Sequence, residues 1–306
     1  MRIFGWIFIL TLFASSCEKE LLVPLPEPTP KLVIESYLRV FKFNSNNKML
    51  FELRKSSGTN DTTTYGIVND AVVLLYKNNV FFDTLKIDTS GEFYNYNFTL
   101  ANAPRTGDLF KVEIIHPDFP LTYASTKILD AIFITDTVIT PIYSLSSSTG
   151  NKTKVDITFQ DPPEDNYYEI VVTDLSMVGE RSVYTTFSSV VNESYYPKPY
   201  DLLNGSQPTS LLFSDKDFKD QKVTIDVIYP IFGEIFDGEY VQKISLRHIT
   251  KEQYDFKTSV LEHLKSKQSD ILYGVSEPLT LKSYVTNGYG IFAGYNETII
   301  DITYKL

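Results

Sequence analysis

Apolar and polar residues alternate along much of the chain in the pattern expected of β-strands. Phe110, Val112 and Ile114 fall on one face of a segment whose other face carries Lys111. A period of two, interrupted at short intervals by turn-forming residues, is typical of antiparallel sandwiches. We therefore predict a mainly β chain whose first domain covers residues 31–129.

The second part of the chain, residues 130–306, shows the same alternation. Val155, Ile157 and Phe159 share one face of a predicted strand. The pattern predicts a second antiparallel β domain here, with further strands over residues 167–173, 222–229, 239–248, 279–286 and 298–304.

One helix interrupts the strands, near residues 251–267. Thr250 and Gln253 are spaced as a capping box. Apolar residues then recur over one broad arc at helical spacing; they are Tyr254, Phe256, Val260, Leu261 and Leu264. We expect the helix to pack at the edge of the sheet. The charge of Lys257 within the apolar arc argues against a helix that lies on a membrane surface.

Residues 1–16 have the features of a signal peptide. Arg2 supplies a positive start, residues 3–13 are mostly apolar, and small residues precede Cys17. The apolar stretch is too short for a membrane-spanning helix, which needs about 20 residues. Cys17 is the only cysteine in the chain, and bacterial lipoproteins carry their lipid on a cysteine in this position. We therefore predict export, cleavage before Cys17 and lipidation of its thiol.

Residues 17–30 are predicted to form a tether between the lipid and the folded body. Alternate prolines, which favour an extended polyproline II conformation, occupy positions 24, 26, 28 and 30. This part of the tether would span about 25 Å. Directly after the cysteine, Glu18, Lys19 and Glu20 resemble the surface-export signal of Bacteroidota lipoproteins; the alternative is a solvated start of the tether.

The charge of the chain excludes nucleic acid as a partner. The full sequence contains 28 basic and 38 acidic residues; removing residues 1–16 takes away Arg2 and changes the net charge from −10 to −11. Phosphate binding needs clustered Lys and Arg, and the sequence contains no basic run.

The usual motifs of catalytic and metal sites are missing from the sequence. His116, His248 and His263 each lack a second His or Cys at ligand spacing, and there is no Gly-x-Ser-x-Gly nucleophile elbow. Residues 288–294 resemble a phosphate-binding loop only superficially, and their glycines more readily allow a bulge or a close approach of strands. We expect no metal, no cofactor and no enzymatic activity.

Two acidic clusters each allow two interpretations. One could bind calcium through carboxylate oxygens or form a solvated turn, which we favour; its residues are Asp215, Asp217 and Asp220. The other could supply the paired carboxylates of a glycosidase or, as we prefer, turn residues that point into water; its residues are Asp161, Glu164 and Asp165.

A tyrosine-rich loop is the best candidate for contact with a partner. Tyr195, Tyr196 and Tyr200 surround two prolines. Tyrosine offers a large amphipathic surface at low entropic cost, and proline stiffens its presentation. The alternative is that this loop packs on its own sheet.

Several motifs indicate known families. The segments NDAVVLLYKNN, DTSGEFY and GDLFKVEIIHPDF resemble the transthyretin-like, carboxypeptidase-regulatory type of immunoglobulin-like domain. Nearly all of the chain after Cys17, including PKLVIESYL, DPPEDNYYEI, LFSDKDFKDQKVTI and SEPLTLKSYVTNGYGIFAGY, resembles the Bacteroidota outer-membrane lipoproteins catalogued as domain of unknown function 4249.

This resemblance implies an outer-membrane lipoprotein that faces the outside of the cell and assists a TonB-dependent β-barrel receptor by binding. It carries over no catalytic residues. The alternatives are a stand-alone surface adhesin or ligand-binding module and, third, a surface glycan or peptide hydrolase. Three Asp-Thr sequences resemble the O-glycosylation pattern of exported Bacteroidota proteins, which implies modification at Thr62, Thr84 and Thr137.

Overall fold

The predicted mainly β fold class is confirmed. The computed structural model describes residues 29–40, 48–57, 66–88, 95–99, 104–142, 152–174, 181–182, 188, 191, 210–230, 240–266 and 279–304. The predicted signal peptide and most of the predicted tether lie outside these residues.

The described residues form fifteen strands and one helix. In chain order they are β1 (Leu32–Arg39), β2 (Lys48–Lys55), β3 (Val72–Lys77), β4 (Val80–Asp88), β5 (Asn95–Thr99), β6 (Leu109–His116), β7 (Phe119–Lys127), β8 (Ile134–Ile142), β9 (Lys152–Gln160), β10 (Tyr167–Asp174), β11 (Arg181–Ser182), β12 (Ser210–Ser214), β13 (Lys222–Pro230), β14 (Tyr240–Ile249), α1 (Lys251–Ser266) and β15 (Gly288–Tyr304).

The first hydrophobic core lies inside a curled sheet with the strand order β15-β1-β2-β5-β4-β3-β6-β7. The sheet curls far enough for β7 to face β15, where the Gly294 amide donates a hydrogen bond to Thr126 Oγ1 at 2.7 Å. Phe110, Val112 and Ile114 are fully buried in this core, as their alternation predicts.

The second core lies between two separate layers. A three-stranded sheet, β13-β9-β8, covers strands β10 and β14 and the last part of β15. Val155, Ile157 and Phe159 of β9 are fully buried, as predicted. The ring centroids of Phe159 and Tyr168 are 5.2 Å apart across this core.

Strand β15 belongs to both halves of the protein. Residues 288–295 pair in parallel with β1, and residues 295–304 pair antiparallel with β14. Phe292 therefore enters the first core, whereas Ile302 enters the second. The predicted domain boundary after residue 129 remains a prediction, but the first core includes this C-terminal strand.

The end of the chain differs from two strand predictions. The predicted strand over residues 279–286 is wrong, because the segment runs beside the helix and its Lys282 amide donates a hydrogen bond to Ser259 Oγ at 3.0 Å. The predicted last strand begins at Gly288 instead of Thr298. Glycine-rich sequence has low strand propensity, and the extension is stabilised by pairing with the distant β1.

The glycines of β15 allow the predicted close approach of strands. Gly290 has a φ of 98°, and a Cβ atom there would lie 1.9 Å from the carbonyl oxygen of Ile34. At Gly294, a Cβ atom would lie 2.5 Å from Ile128 Cδ1 in the facing layer. Only glycine fits without a shift of the neighbouring chain.

The predicted helix is confirmed as α1, and it lies on a sheet face instead of the sheet edge. The Gln253 amide donates a hydrogen bond to Thr250 Oγ1 at 3.3 Å, which forms one half of the predicted capping box. Among the described residues the Gln253 side chain has no hydrogen-bond partner, so the reciprocal half is not formed there. Leu261 packs in a small cluster with Leu212 of β12 and Tyr295 of β15.

None of the helical residues that the structure describes forms a segment long and apolar enough to cross a membrane.

Candidate functional site

Five charged residues form a ladder on the sheet face beneath α1. Glu169 of β10, Arg247 of β14 and Glu297 of β15 lie side by side in register. Arg247 contacts Glu169 at 3.4 Å and Glu297 at 3.2 Å. Arg39 of β1 pairs with the other carboxylate oxygen of Glu297. Lys257 of α1 forms an ion pair with Glu169 at 2.6 Å. We call these five residues the charged ladder.

Mutual pairing keeps Glu169 and Arg247 of the charged ladder ionised although both are largely buried. The Glu169 side chain is 2 % exposed. Burial raises the pKa of its carboxyl, but the charges of Lys257 and Arg247, together with hydrogen bonds from Lys257 and Ser210, outweigh burial and lower the pKa to about 2. Burial lowers the pKa of Arg247. The interactions with Tyr295, Glu169 and Glu297 outweigh burial and raise this pKa.

Two tyrosine rings pack against cations of the charged ladder. Lys257 Nζ lies 4.9 Å from the ring centroid of Tyr37, and the Arg247 guanidinium lies 4.7 Å from that of Tyr295. Such cation–π contacts are favourable when the cation is shielded from water. The arrangement fastens α1 to the sheet and joins β1 to the strands of the second core.

Sequence reasoning missed the charged ladder. Its members are single charged residues inside apolar segments, such as Glu169 in YYEIVV and Lys257 in the apolar arc of the helix. Charged residues are rarely buried unless they are paired. That rule would have identified these residues as charges that need a partner, although it could not have predicted which residues pair with one another.

A second buried polar cluster joins the two acidic segments. We call it the polar cluster; it consists of Asp161, Asn166, Tyr168, Asp215 and His248. The Tyr168 hydroxyl donates a hydrogen bond to Asp161 Oδ1. The Asn166 backbone amide donates to Asp215 Oδ2 at 2.9 Å, and the Asn166 side-chain oxygen lies 3.0 Å from His248 Nε2.

The preferred interpretation of the acidic segments as solvated turns is wrong for one residue in each. Asp161 and Asp215 are 1 % and 4 % exposed, because each accepts hydrogen bonds from groups that are also removed from water. The other members are exposed; they are Glu164, Asp165, Asp217 and Asp220. No group of three or more His, Cys, Asp or Glu side chains suited to a metal occurs among the described residues.

His248 is held on both sides within the polar cluster. Its Nδ1 lies 2.8 Å from the Asp130 carbonyl oxygen and its Nε2 faces Asn166. Burial lowers the pKa of His248, and the nearby oxygens and carboxylates of Asp130, Asp161 and Asp215 oppose this only in part. A neutral ring can donate only one of the two hydrogen bonds at a time.

The other two histidines join neighbouring segments of the fold. His116 Nε2 lies 3.0 Å from Asp70 Oδ1, and its Nδ1 accepts a hydrogen bond from the Asp118 amide at 3.1 Å. His263 Nδ1 lies 2.6 Å from the carbonyl oxygen of Leu279. His116 therefore fixes the β6–β7 hairpin, and His263 joins α1 to the segment before β15.

Two of the predicted glycosylation threonines have the same local geometry. The Thr84 amide donates a hydrogen bond to Asp83 Oδ1 at 2.7 Å, and the Thr137 amide donates to Asp136 Oδ1 at 2.9 Å. Thr84 is exposed and Thr137 is half-buried. Their modification stays a prediction, and Thr62 lies outside the described residues.

The remaining predicted site residues also lie outside the described residues. They are Cys17, the export-signal residues Glu18, Lys19 and Glu20, and the candidate contact residues Tyr195, Tyr196 and Tyr200.

The fold and the buried polar contacts define a mainly β protein whose two cores share a final strand. The chain belongs to the family described as domain of unknown function 4249, whose model matches residues 18–300. This confirms the family that the sequence motifs indicate.

Other comparisons add little. No curated protein matches the chain. A crystal structure from Corynebacterium diphtheriae, described as that of a "putative membrane anchored protein", is similar at 12% sequence identity. The match covers 71% of this chain and 54% of that one, so the chain spans about half of that protein's length. The TM-score of 0.22 is too low to support an argument about this chain.

Proposed function

We propose that this chain is a lipid-anchored protein of the outer membrane that faces the outside of the cell and binds a TonB-dependent β-barrel receptor as its accessory subunit. The observation that carries the proposal is Cys17, which follows a signal-like segment at the position of a lipidated cysteine. Glu18, Lys19 and Glu20 supply the proposed export signal. Family membership adds support through the resemblance to accessory lipoproteins.

The buried charges are accounted for by contacts within the fold. Strongly shifted pKa values mark candidate active sites when the groups face a cleft. In this protein Glu169 is engaged by Lys257 and Arg247, and Asp161 is engaged by the Tyr168 hydroxyl. These groups stabilise the fold by contacting one another.

The tether makes a modest interface sufficient for a stable complex. A lipid on Cys17 confines the chain to the plane of the membrane, which raises its effective concentration towards any receptor in that membrane. We propose Tyr195, Tyr196 and Tyr200 as the contact residues, because tyrosine combines a large apolar area with a polar hydroxyl.

Crosslinking in intact cells, followed by mild-detergent purification of the tagged protein, tests this function. The wild type should recover a β-barrel receptor in nearly equal amount. Alanine at Tyr195, Tyr196 and Tyr200 should weaken recovery, whereas Tyr123→Ala, a matched change at an exposed tyrosine of β7, should not. Cys17→Ala should release the protein from the membrane and abolish recovery. If the wild type is recovered alone, the receptor proposal is wrong and a stand-alone adhesin is favoured.

A further inference from the structure

The chain enters the folded body at one end of the first core, which we call the tether end. The backbones of Lys31 and Ser56 are hydrogen-bonded there at 2.9 Å. A Cβ atom on Gly288 would lie 2.7 Å from the Leu32 carbonyl oxygen and 2.9 Å from Thr122 Cγ2. The starts of β1 and β15 and the first part of β7 therefore meet at the tether end.

An apolar row crosses three strands on the outer face of the sheet at the tether end. Val72 of β3 is paired with Ile115 of β6. Ile114, the residue before Ile115 in β6, is paired with Thr122 of β7. Leu121, the residue before Thr122, therefore lies next to Ile115. Val72, Ile115 and Leu121 are 47 %, 49 % and 50 % exposed. Val73, Ile114 and Thr122, each next to one of them in its strand, are fully buried, so the three side chains point outward.

On the outer side of β15, the tether end carries a tyrosine and a lysine. Tyr289 of β15 is 44 % exposed, and Lys31 Nζ lies 4.9 Å from its ring centroid. Tyrosine rings are enriched at the boundary between lipid and water, and a lysine stem can lie along apolar surface while its charge stays in water. The tether end thus presents side chains suited to a lipid–water boundary on the outer side of β3, β6 and β7 and on the outer side of β15.

The position of the tether identifies the surface that these side chains meet. Residues 17–30 can extend over about 40 Å, and they join the body at Lys31, at the same end of the first core as the apolar row. The tether end is therefore the part of the body whose distance from the lipid the tether limits most directly, and it carries these exposed apolar residues. The opposite end of β6 also carries exposed apolar residues, Leu109 and, in the adjacent β3–β4 hairpin, Val80 and Phe81, but the tether does not join the body there.

We propose that the tether end rests on the lipid surface, with Val72, Ile115, Leu121 and Tyr289 in the interfacial layer. The contact is apolar and does not depend on anionic lipid, which the acidic chain would repel. This inference rests on the proposed lipid anchor at Cys17. It adds a defined orientation of the body relative to the membrane.

Site-specific fluorescence in the full-length lipidated protein tests the orientation. Cys17 is the only cysteine, and its thiol is consumed by the lipid, so an introduced cysteine is the only site for a polarity-sensitive dye. The dye is placed by Ile115→Cys, by Leu121→Cys and, as a matched control, by Leu109→Cys. Residues 109 and 115 lie on the same face of β6, about 20 Å apart. Each protein is inserted into phosphatidylcholine vesicles with and without nitroxide-labelled headgroups.

The expected result is a blue-shifted emission that nitroxide lipid quenches at positions 115 and 121, with neither effect at 109. Equal quenching at all three positions, or no quenching while the protein floats with the vesicles, would overturn the orientation. A blue shift without quenching that disappears when the protein is diluted with excess lipid would mean contact with a second copy, and would also overturn it. Failure of the wild type to float would instead contradict the proposed lipid anchor.

Discussion

Replacing Lys257 by methionine should show that an ion pair in the buried charged ladder contributes more to the free energy of unfolding than an ordinary surface ion pair does. The change keeps most of the side chain's length but removes the charge that lies 2.6 Å from Glu169. Glu169 would then remain buried, with Arg247 3.4 Å away. Removing one partner of a buried ion pair costs about 3–5 kcal/mol. The fall in the pKa of Glu169 from 4.5 to about 2 corresponds to about 3 kcal/mol. We expect a loss of about 3 kcal/mol in the free energy of unfolding at pH 7.

The pH dependence of this loss follows from the same pKa. Because the pKa of Glu169 is lower in the folded protein than in the unfolded chain, the carboxylate stabilises the fold above pH 4.5. That contribution is lost as the pH falls from 4.5 towards 2. Lys257 is the largest of the charges that lower this pKa. The difference in stability between the wild type and Lys257→Met should therefore narrow below pH 4.5.

Urea unfolding of the non-lipidated Cys17→Ala chain, followed by circular dichroism, measures both effects. The only tryptophan, Trp6, lies in the predicted signal peptide, so tryptophan fluorescence would not report on the body. Lys251→Met is the matched control on the same helix, because Lys251 forms an i,i+4 pair with Asp255 and its side chain is 61 % exposed. Such a pair contributes about 0.5 kcal/mol or less. Equal losses for the two variants, or a Lys257→Met loss that is the same at pH 3 and pH 7, would refute the reasoning.

Two further predictions concern the last strand and the polar cluster. Gly290→Ala should lower the free energy of unfolding by on the order of 4 kcal/mol, because its Cβ would clash with the Ile34 carbonyl. Gly107→Ala, which also has a positive φ but has no atom within 4 Å of the new Cβ, should cost only about 1–2 kcal/mol; similar thermal midpoints for the two variants would contradict this. His248→Gln should flatten the pH dependence of stability below pH 6.5, because the pKa of His248 is lowered on folding and the wild type therefore loses stability as the unfolded chain becomes protonated. Urea midpoints between pH 7.5 and 5 measure this, and parallel curves for the two proteins would show that His248 does not titrate differently on folding.

Local alternation predicts the strands of the two cores well, because each strand buries only one face. Phe110 and Ile157 are examples: each is fully buried, and its neighbours in sequence point the other way. The same pattern fails for the beginning of β15. Its glycines weaken the apolar signal, and its strand conformation depends on parallel pairing with residues more than two hundred positions earlier.

The candidate sites depend even more on contacts between distant residues. Glu169 and Lys257 are 88 positions apart, and Asn166 and Asp215 are 49 apart. The sequence contains the unusual residues, but strand register decides which of them meet. A rule that buried charges need partners could therefore have selected Glu169, although it could not have chosen Lys257 over the other cations.

Strand β15 links the proposed orientation to the proposed function. It starts at the tether end at Gly288, continues past both cores and ends at Tyr304, a length of roughly 50 Å if it is extended. If the tether end rests on lipid, the second core is therefore held away from the membrane by a continuous strand that the charged ladder braces. A receptor that binds the second domain would then have to present loops or domains beyond the lipid surface, because the lipid-facing wall of its barrel would lie out of reach.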